Sequence, residues 1–243
     1  MKHYTDIFFD FDDTLYDTQG NSVIALRKLY EERHWDEIMP PFEQFNEAYV
    51  KTNVDVWSRY TKGEMDRDTL IVERFRRPVS EMVEARGGDA SWITSEACLA
   101  MNDSYCDIIS LEPGIVDGAR QLVGGLASHG YRLHLCSNGF HEVQYRKLHS
   151  SGLERFFSTV VLSEDAGANK PWKEFFDYAF RETGAKPSAT IMIGDNYDTD
   201  IIGAMNVGLD TIFFNRWQKE ITGNMRRPTY VVNHLQEISD IIK

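Results

Sequence analysis

Asp10 and Asp12 stand two residues apart, directly after the apolar run Ile7-Phe8-Phe9, with Thr14 following. A parallel strand covered on both faces reads as a continuous apolar run, and ligands of open α/β sheets bind beyond the carboxyl ends of such strands. The spacing therefore predicts two carboxylates projecting into a crevice. Packing supplies no reason to crowd acids there, because like charges raise one another's cost of ionisation unless a cation intervenes. A divalent metal is the simplest relief.

Three more predicted strand ends bring polar groups to the same edge. The run Leu133-His134-Leu135-Cys136 leads into Ser137-Asn138-Gly139. Lys170 follows the strand near Val161, within Asn169-Lys170-Pro171. Ile191-Met192-Ile193 ends in Gly194-Asp195, with Asp198 and Asp200 close behind. Separate strands thus deliver carboxylates, a hydroxyl and an ammonium, a combination suited to moving a charged group.

The elements that must position these residues fall into two patterns. Strands are expected at 131–136, 159–162, 190–193, 210–214 and 230–232, alternating with helices at 116–128, 142–150, 173–182 and 198–206, and a last helix from about His234. Such alternation argues for an α/β fold, a doubly wound parallel sheet. Between Gln19 and Ile109 the spacing is helical instead, with apolar stripes such as Val23, Leu26, Leu29 and Tyr30, and Phe42, Phe45, Tyr49 and Val56. Pro78 is expected to kink or end the third of these helices. The expected organisation is a catalytic core of residues 1–15 and 110–243, interrupted by a helical domain at 16–109 that leaves the core beside the paired acids. Trp35, Trp57 and Tyr60 in that insertion read as core aromatics, with stacking on a ligand the rarer use. His141 reads as structural or exposed, with reach to a substrate as the rarer use.

The chain has 243 residues and a formal net charge of −12. That charge argues against a nucleic-acid surface or an anionic membrane as partner, but not against a phosphate substrate, since a metal and a few local cations set the field inside a cleft. The three cysteines form no Cys-x-x-Cys pair and suggest no disulfide framework. No basic–apolar leader and no membrane-length apolar run is visible, so the cytoplasm is the expected compartment.

The ordered set Asp-x-Asp-x-Thr-Leu at 10–15, apolar-Ser-Asn at 136–138, Lys-Pro at 170–171 and Gly-Asp-x-x-x-x-Asp at 194–200 resembles the haloacid dehalogenase-like hydrolase superfamily, and the insertion resembles its helical-cap class. The resemblance implies a Rossmann-like core and Asp10 as the nucleophile that takes up the phosphoryl group. It implies Asp12 as general acid and then base, and Lys170 as the charge that offsets Asp10. Thr14, Ser137, Asn138 and Lys170 would bind phosphate. Mg²⁺ would sit on Asp10, Asp195 and the main-chain carbonyl of Asp12, with Asp200 behind them orienting Lys170 or a metal-bound water. Members that cleave carbon–halogen bonds generally lack an acid at the position of Asp12, so its presence favours phosphoryl transfer. Metal and Lys170 are expected to lower the pKa of Asp10, whereas Asp12 is expected to protonate more readily.

From Ser137 to Phe176 the chain is also similar to noncanonical pyrimidine nucleotidases, through Ser-Asn-Gly-Phe, Gln144, Lys147-Leu148, Ser151-Gly152-Leu153, Phe156-Phe157, Ser163-Glu164-Asp165, Gly167 and Lys170-Pro171. Much of this run describes core helices and strands. The implied substrate is a small phosphorylated metabolite, a nucleoside monophosphate, handled by a monomer or small homo-oligomer. A sugar-phosphate or phosphoglycolate-type phosphatase is the alternative enzyme. A phosphate-accepting receiver module is the alternative of another class, disfavoured by the size of the insertion and by Asp-x-Asp-x-Thr at the end of the first strand.

Overall fold

The structure is a computed structural model and describes residues 3–223 and 226–242. The chain divides into two compact units, Met1–Thr18 with Pro113–Lys243, and Gln19–Glu112.

The first unit is built on six parallel strands, β1 (Asp6–Phe9), β2 (Arg132–Ser137), β3 (Thr159–Leu162), β4 (Thr190–Gly194), β5 (Asp210–Phe214) and β6 (Tyr230–Val232), in the order β3-β2-β1-β4-β5-β6. β1 is central and pairs with both β2 and β4, so Phe9 lies level with Leu135 and Ile193. Strand order reverses on either side of β1, the switch point at which doubly wound sheets bind ligands. The middles of the strands are largely apolar because both faces are covered. Ile7, Phe9, Leu133, Leu135, Ile191 and Ile193 join one core. Phe8, Cys136, Val161 and Met192 join another on the opposite face, the two-residue alternation of a pleated strand.

The second unit is helical: α1 (Thr18–Glu32, whose first residue belongs to the other unit), α2 (Phe42–Thr61), α3 (Arg67–Ala85) and α4 (Ser95–Ile109). Asp66 and Thr94 cap the starts of α3 and α4, their side chains accepting from the backbone N–H of Thr69 and Ala97. The core is rich in aromatics, including Tyr30, Trp35, Phe42, Phe45, Tyr49, Phe75 and Tyr105. Trp35 packs there at 2% exposure, and Trp57 meets Tyr60 edge-on. Arg74 is buried among them and donates twice to the Tyr49 hydroxyl, at 3.0 and 2.6 Å.

Of the two outcomes expected at Pro78, a kink or an end, the end is corrected: α3 runs through it to Ala85. Proline removes one helical N–H, but Phe75, Val79, Met82 and Val83 bury the same helical face on both sides of it, and that shared packing outweighs the local defect. The helix expected at 198–206 is a π-helical turn, Tyr197–Ile202, followed by a short α-helix. The expected terminal helix is reduced to a 3₁₀ turn, Leu235–Glu237, and a four-residue α-helix, Ile238–Ile241.

Candidate active site

β1 ends at Phe9, so Asp10 emerges at the carboxyl edge of the central strand, its N–H donating to the Ile193 carbonyl at 2.9 Å. Its side chain is buried at 7% residue exposure and fixed at both oxygens. Lys170 Nζ reaches Oδ1 at 2.7 Å, and the Thr14 hydroxyl donates to Oδ2 at 3.0 Å. A carboxylate held at both oxygens cannot rotate away from a reacting centre.

Lys170 is 1% exposed, a placement an ammonium tolerates only with partners. Its three N–H donors find Asp10 at 2.7 Å, Asp200 at 2.8 Å and the Cys136 carbonyl at 2.6 Å. Burial works against its charge, but Asp10 and Asp200 outweigh that and hold its pKa above the usual lysine range. The Asn138 carboxamide grips the Lys170 backbone, accepting its N–H at 2.8 Å and donating to its carbonyl at 3.0 Å. Asn138 and Thr14 therefore meet site residues: Thr14 is fully buried and also accepts the Asp195 N–H at 3.0 Å.

Asp200 reaches Lys170 through the π-helical turn. The Asn196 carboxamide accepts the N–H groups of Asp198 and Thr199, and the Asn196 carbonyl accepts that of Asp200 at 3.0 Å. Asn196 is the capping residue of this turn. The turn packs Asp200 onto Gly194, where a methyl group would lie 2.6 Å from the Asp200 Cβ. Gly194 is glycine because the carboxylate needs that space.

Asp10, Asp195 and Asp200 each offer a carboxylate oxygen, all within 4.8 Å of one another. Three carboxylates against the Lys170 ammonium leave two negative charges in a buried volume. The acids register the imbalance: burial and then Asp200 push Asp10 up to about 7, against the pull of Lys170. Burial, then Asp10 and Asp200, push Asp195 well above the usual carboxylate range. An all-oxygen donor set with uncompensated negative charge fits a hard divalent cation.

Asp12 lies in a different field. Lys147, from α6 (His141–Ser150), which follows β2 as α5 (Ala119–Ser128) precedes it, sits 2.7 Å from its Oδ1, and Gln144 and Thr18 also donate to it. Burial raises its pKa, but Lys147 and these hydrogen bonds overcome that and leave it below the usual value. From the protein's own groups alone Asp10 stands above the usual carboxylate range and Asp12 below it, because α6 brings a cation to Asp12 that the strand ends do not; the order expected of the two acids is that of a site holding metal. Ser137 is 1% exposed, and its hydroxyl accepts from Gly139 N–H at 3.1 Å and Gln144 at 2.7 Å. Its own O–H remains to donate, the polarity a phosphoryl oxygen requires. His141 donates its backbone N–H to Glu164, and its ring lies 4.6 Å from that of Tyr145.

Gln144 and Lys147 were legible as part of a helix and of the nucleotidase resemblance, with no role at the site assigned to either. The signal for them is polar residues on the buried stripe of α6, beside Leu148. A fifth strand end also contributes: Lys219, after β5, pulls the Asp195 pKa downward, and Arg216 reaches Asp17 at 2.7 Å and Asp13 at 3.4 Å.

Residues 7–208 match a family described as haloacid dehalogenase-like hydrolase. The HAD-hydrolase YfnB of Bacillus subtilis is 32% identical over 243 residues, covering 100% of this chain and 97% of YfnB. A crystal structure of YfnB bound to magnesium superposes with a TM-score of 0.85 and 30% identity, over 99% of both chains. Pyrimidine 5'-nucleotidase PynA of Streptococcus pneumoniae is 28% identical, covering 98% of this chain and 95% of PynA. The glyceraldehyde 3-phosphate phosphatase of Methanothermobacter thermautotrophicus is 29% identical, covering 86% of this chain and 84% of that protein.

Proposed function

The chain belongs to the haloacid dehalogenase-like hydrolase family and is a phosphoric monoester hydrolase; from that premise we propose that it is Mg²⁺-dependent, works through an aspartyl-phosphate on Asp10, and takes pyrimidine nucleoside 5'-monophosphates. The observation that carries this reading is the separation of the two acids: Asp10 is clamped by Lys170 and Thr14, whereas Asp12, two residues on, answers to Lys147 and Gln144. One carboxylate is set as a nucleophile and the other as a proton carrier.

In the first half-reaction an Asp10 oxygen attacks phosphorus, the bond to the ester oxygen breaks, and that oxygen takes the proton of Asp12. A phosphoryl dianion beside Asp12 raises its pKa, since like charges oppose ionisation, which supplies the proton-bearing form. In the second, anionic Asp12 takes a proton from water, the resulting hydroxide oxygen attacks phosphorus, and the Asp10 carboxylate departs as phosphate is released. Ser137 holds a phosphoryl oxygen, and Lys170, whose three donors go to Asp10, Asp200 and the Cys136 carbonyl, offsets its charge; Thr14 and Asn138, expected on the phosphate, instead keep Asp10 and Lys170 in place together with Asp200. Asp10 and Asp195, with the main-chain carbonyl of Asp12, would hold Mg²⁺. Bound there, it supplies the positive charge that the buried acids and the transferring group lack.

The substrate class rests on the relatives: PynA is a pyrimidine 5'-nucleotidase. The phosphatase acting on glyceraldehyde 3-phosphate supports sugar phosphates as the second reading. No described helix is long and apolar enough to cross a membrane, and three free cysteines agree with a reducing cytoplasm. A Mg²⁺-supplemented screen of nucleoside monophosphates, sugar phosphates and short acid phosphates tests the proposal. The expected result is the highest kcat/KM on pyrimidine nucleotides. A preference for sugar phosphates above about tenfold, or about 1.4 kcal/mol of transition-state discrimination, rejects the substrate choice.

A further inference from the structure

Two polar residues occupy the buried stripe of α6, where packing alone asks for apolar ones. Gln144 is 1% exposed and Lys147 6%, beside Leu148 at 1%. Burying an ammonium carries a large desolvation cost unless a partner offsets it. Here the partner is Asp12: Lys147 Nζ lies 2.7 Å from Oδ1, while Gln144 Nε2 donates to Oδ2 and, at 2.7 Å, to the Ser137 hydroxyl. Positions 144 and 147 are three apart on one helix and so share a face. Each oxygen of Asp12 thereby receives a donor from the same rigid element.

The cost of this arrangement is visible at Gln144. Its Oε1 is buried without a hydrogen-bond partner, so the amide is oriented by its donor end alone. The opposite orientation would set a carbonyl against the Asp12 carboxylate. A leucine would fill the stripe without the orphaned oxygen. Gly139 is shaped to the same side chain, since a Cβ there would lie 2.7 Å from the Gln144 Cγ. Lys147 Nζ also faces the Tyr16 ring, 5.2 Å from its centroid.

We propose that Gln144 and Lys147 are positioning residues for proton transfer, a pair on α6 that aims the Asp12 carboxyl at the leaving-group oxygen and, through Gln144, ties it to the Ser137 hydroxyl. The inference rests on the assignment of Asp12 as acid and base made above. Small errors in the placement of a catalytic group cost about 10²-fold in rate, and general acid catalysis contributes about 10²–10⁴-fold when the leaving group needs a proton. The pair therefore matters most for esters of alcohols.

The test compares benzyl phosphate, whose alkoxide needs a proton, with 4-nitrophenyl phosphate, whose phenolate leaves without one. Lys147→Met, Gln144→Leu, Lys147→Arg and Asp12→Asn are assayed in the full chain with Mg²⁺, with thermal melts alongside. The expected result is a loss of kcat/KM on benzyl phosphate at least about tenfold larger than on 4-nitrophenyl phosphate for Lys147→Met and Gln144→Leu. KM should change little, and Lys147→Arg should recover part of the loss. If Lys147→Met does not fold, Gln144→Leu and Lys147→Arg carry the comparison. Equal losses on both esters in the α6 variants, with selective loss in Asp12→Asn, would make the pair structural and overturn the inference alone. Absence of selectivity in Asp12→Asn as well would overturn the role of Asp12 and the inference with it.

Discussion

Lys170 and Asp200 form an ion pair of 2.8 Å in which each side chain is 1% exposed. The lysine stands on the loop after β3 and the aspartate on the π-helical turn after β4, so the pair joins two strand ends across the edge of β1. Breaking a buried pair by removing one partner costs about 3–5 kcal/mol, because the survivor keeps its desolvation without its counter-charge. Lys170→Met, which strands both Asp10 and Asp200, should lower unfolding free energy by about that amount in urea titrations at neutral pH and abolish turnover. A stability within about 1 kcal/mol of the parent would show that the pair contributes little net energy.

Gly194 faces the same carboxylate. Gly194→Ala places a methyl group 2.6 Å from the Asp200 Cβ and Cγ, and the main chain of β4, held between β1 and β5, cannot withdraw. Overpacking of this kind costs about 1–3 kcal/mol. Asp200 must also shift from Lys170, so kcat should fall by at least about tenfold, with folded protein still present by circular dichroism. Full activity in the alanine variant would show that Asp200 has freedom the packing denies it.

The three clustered acids predict thermal stabilisation by magnesium. An ion that binds only the folded state stabilises by about 2.7 kcal/mol at a hundred times its Kd. Titrating MgCl₂ into chelator-treated protein should raise Tm progressively, and Asp195→Asn, which removes one donor of the cluster, should flatten the titration. Chelation should abolish turnover reversibly. A Tm independent of magnesium would refute the metal assignment, without reference to any substrate.

At the opposite end of β1, Asp6 is bonded to His134 Nε2 at 3.0 Å and Arg132 at 2.8 Å. Burial lowers the His134 pKa below 6.5 despite the help of Asp6. Burial raises that of Asp6, but the bonds from His134, Thr5 and Arg132 outweigh it and bring it below 3.8. Both groups bind protons more readily in the unfolded chain, so both favour folding above their ordinary pKa values and lose that contribution as pH falls. The histidine term declines downward from about pH 6.5 and the aspartate term downward from about pH 4. Asp10 and Asp195, whose pKa values are raised, act in the opposite sense, so the histidine contribution is read as a difference: in urea unfolding the parent should lose stability relative to His134→Gln as pH falls from 7.5 to 5. A stability difference between the two proteins that stays constant from pH 7.5 to pH 5 would contradict the direction given for His134.

The sheet was legible because its signals are local. Apolar runs such as Ile7-Phe8-Phe9 and Ile191-Met192-Ile193 are covered on both faces, and polar residues directly after them must stand at the strand ends. Asp10 and Asp195 could be named from position, since a parallel sheet brings such strand ends to one edge, whereas Lys170 and Asp200, farther along their connections, were named through the ordered motifs of the family resemblance. Pro78 does not end α3 because proline's effect on a helix is local, whereas the burial of Phe75 and Val79 around it is not.

Composition and spacing thus determined the kind of fold, the edge at which chemistry is done and the acids that stand there, because each follows from the order of residues along a strand. The tertiary structure decided the field each acid feels. Lys147 and Gln144 lie 135 and 132 residues from Asp12, and Lys170 lies 160 from Asp10. Electrostatic interaction falls with distance through space and is indifferent to distance along the chain, so only the packing of α6 against the end of β1 could assign Asp12 its own cation.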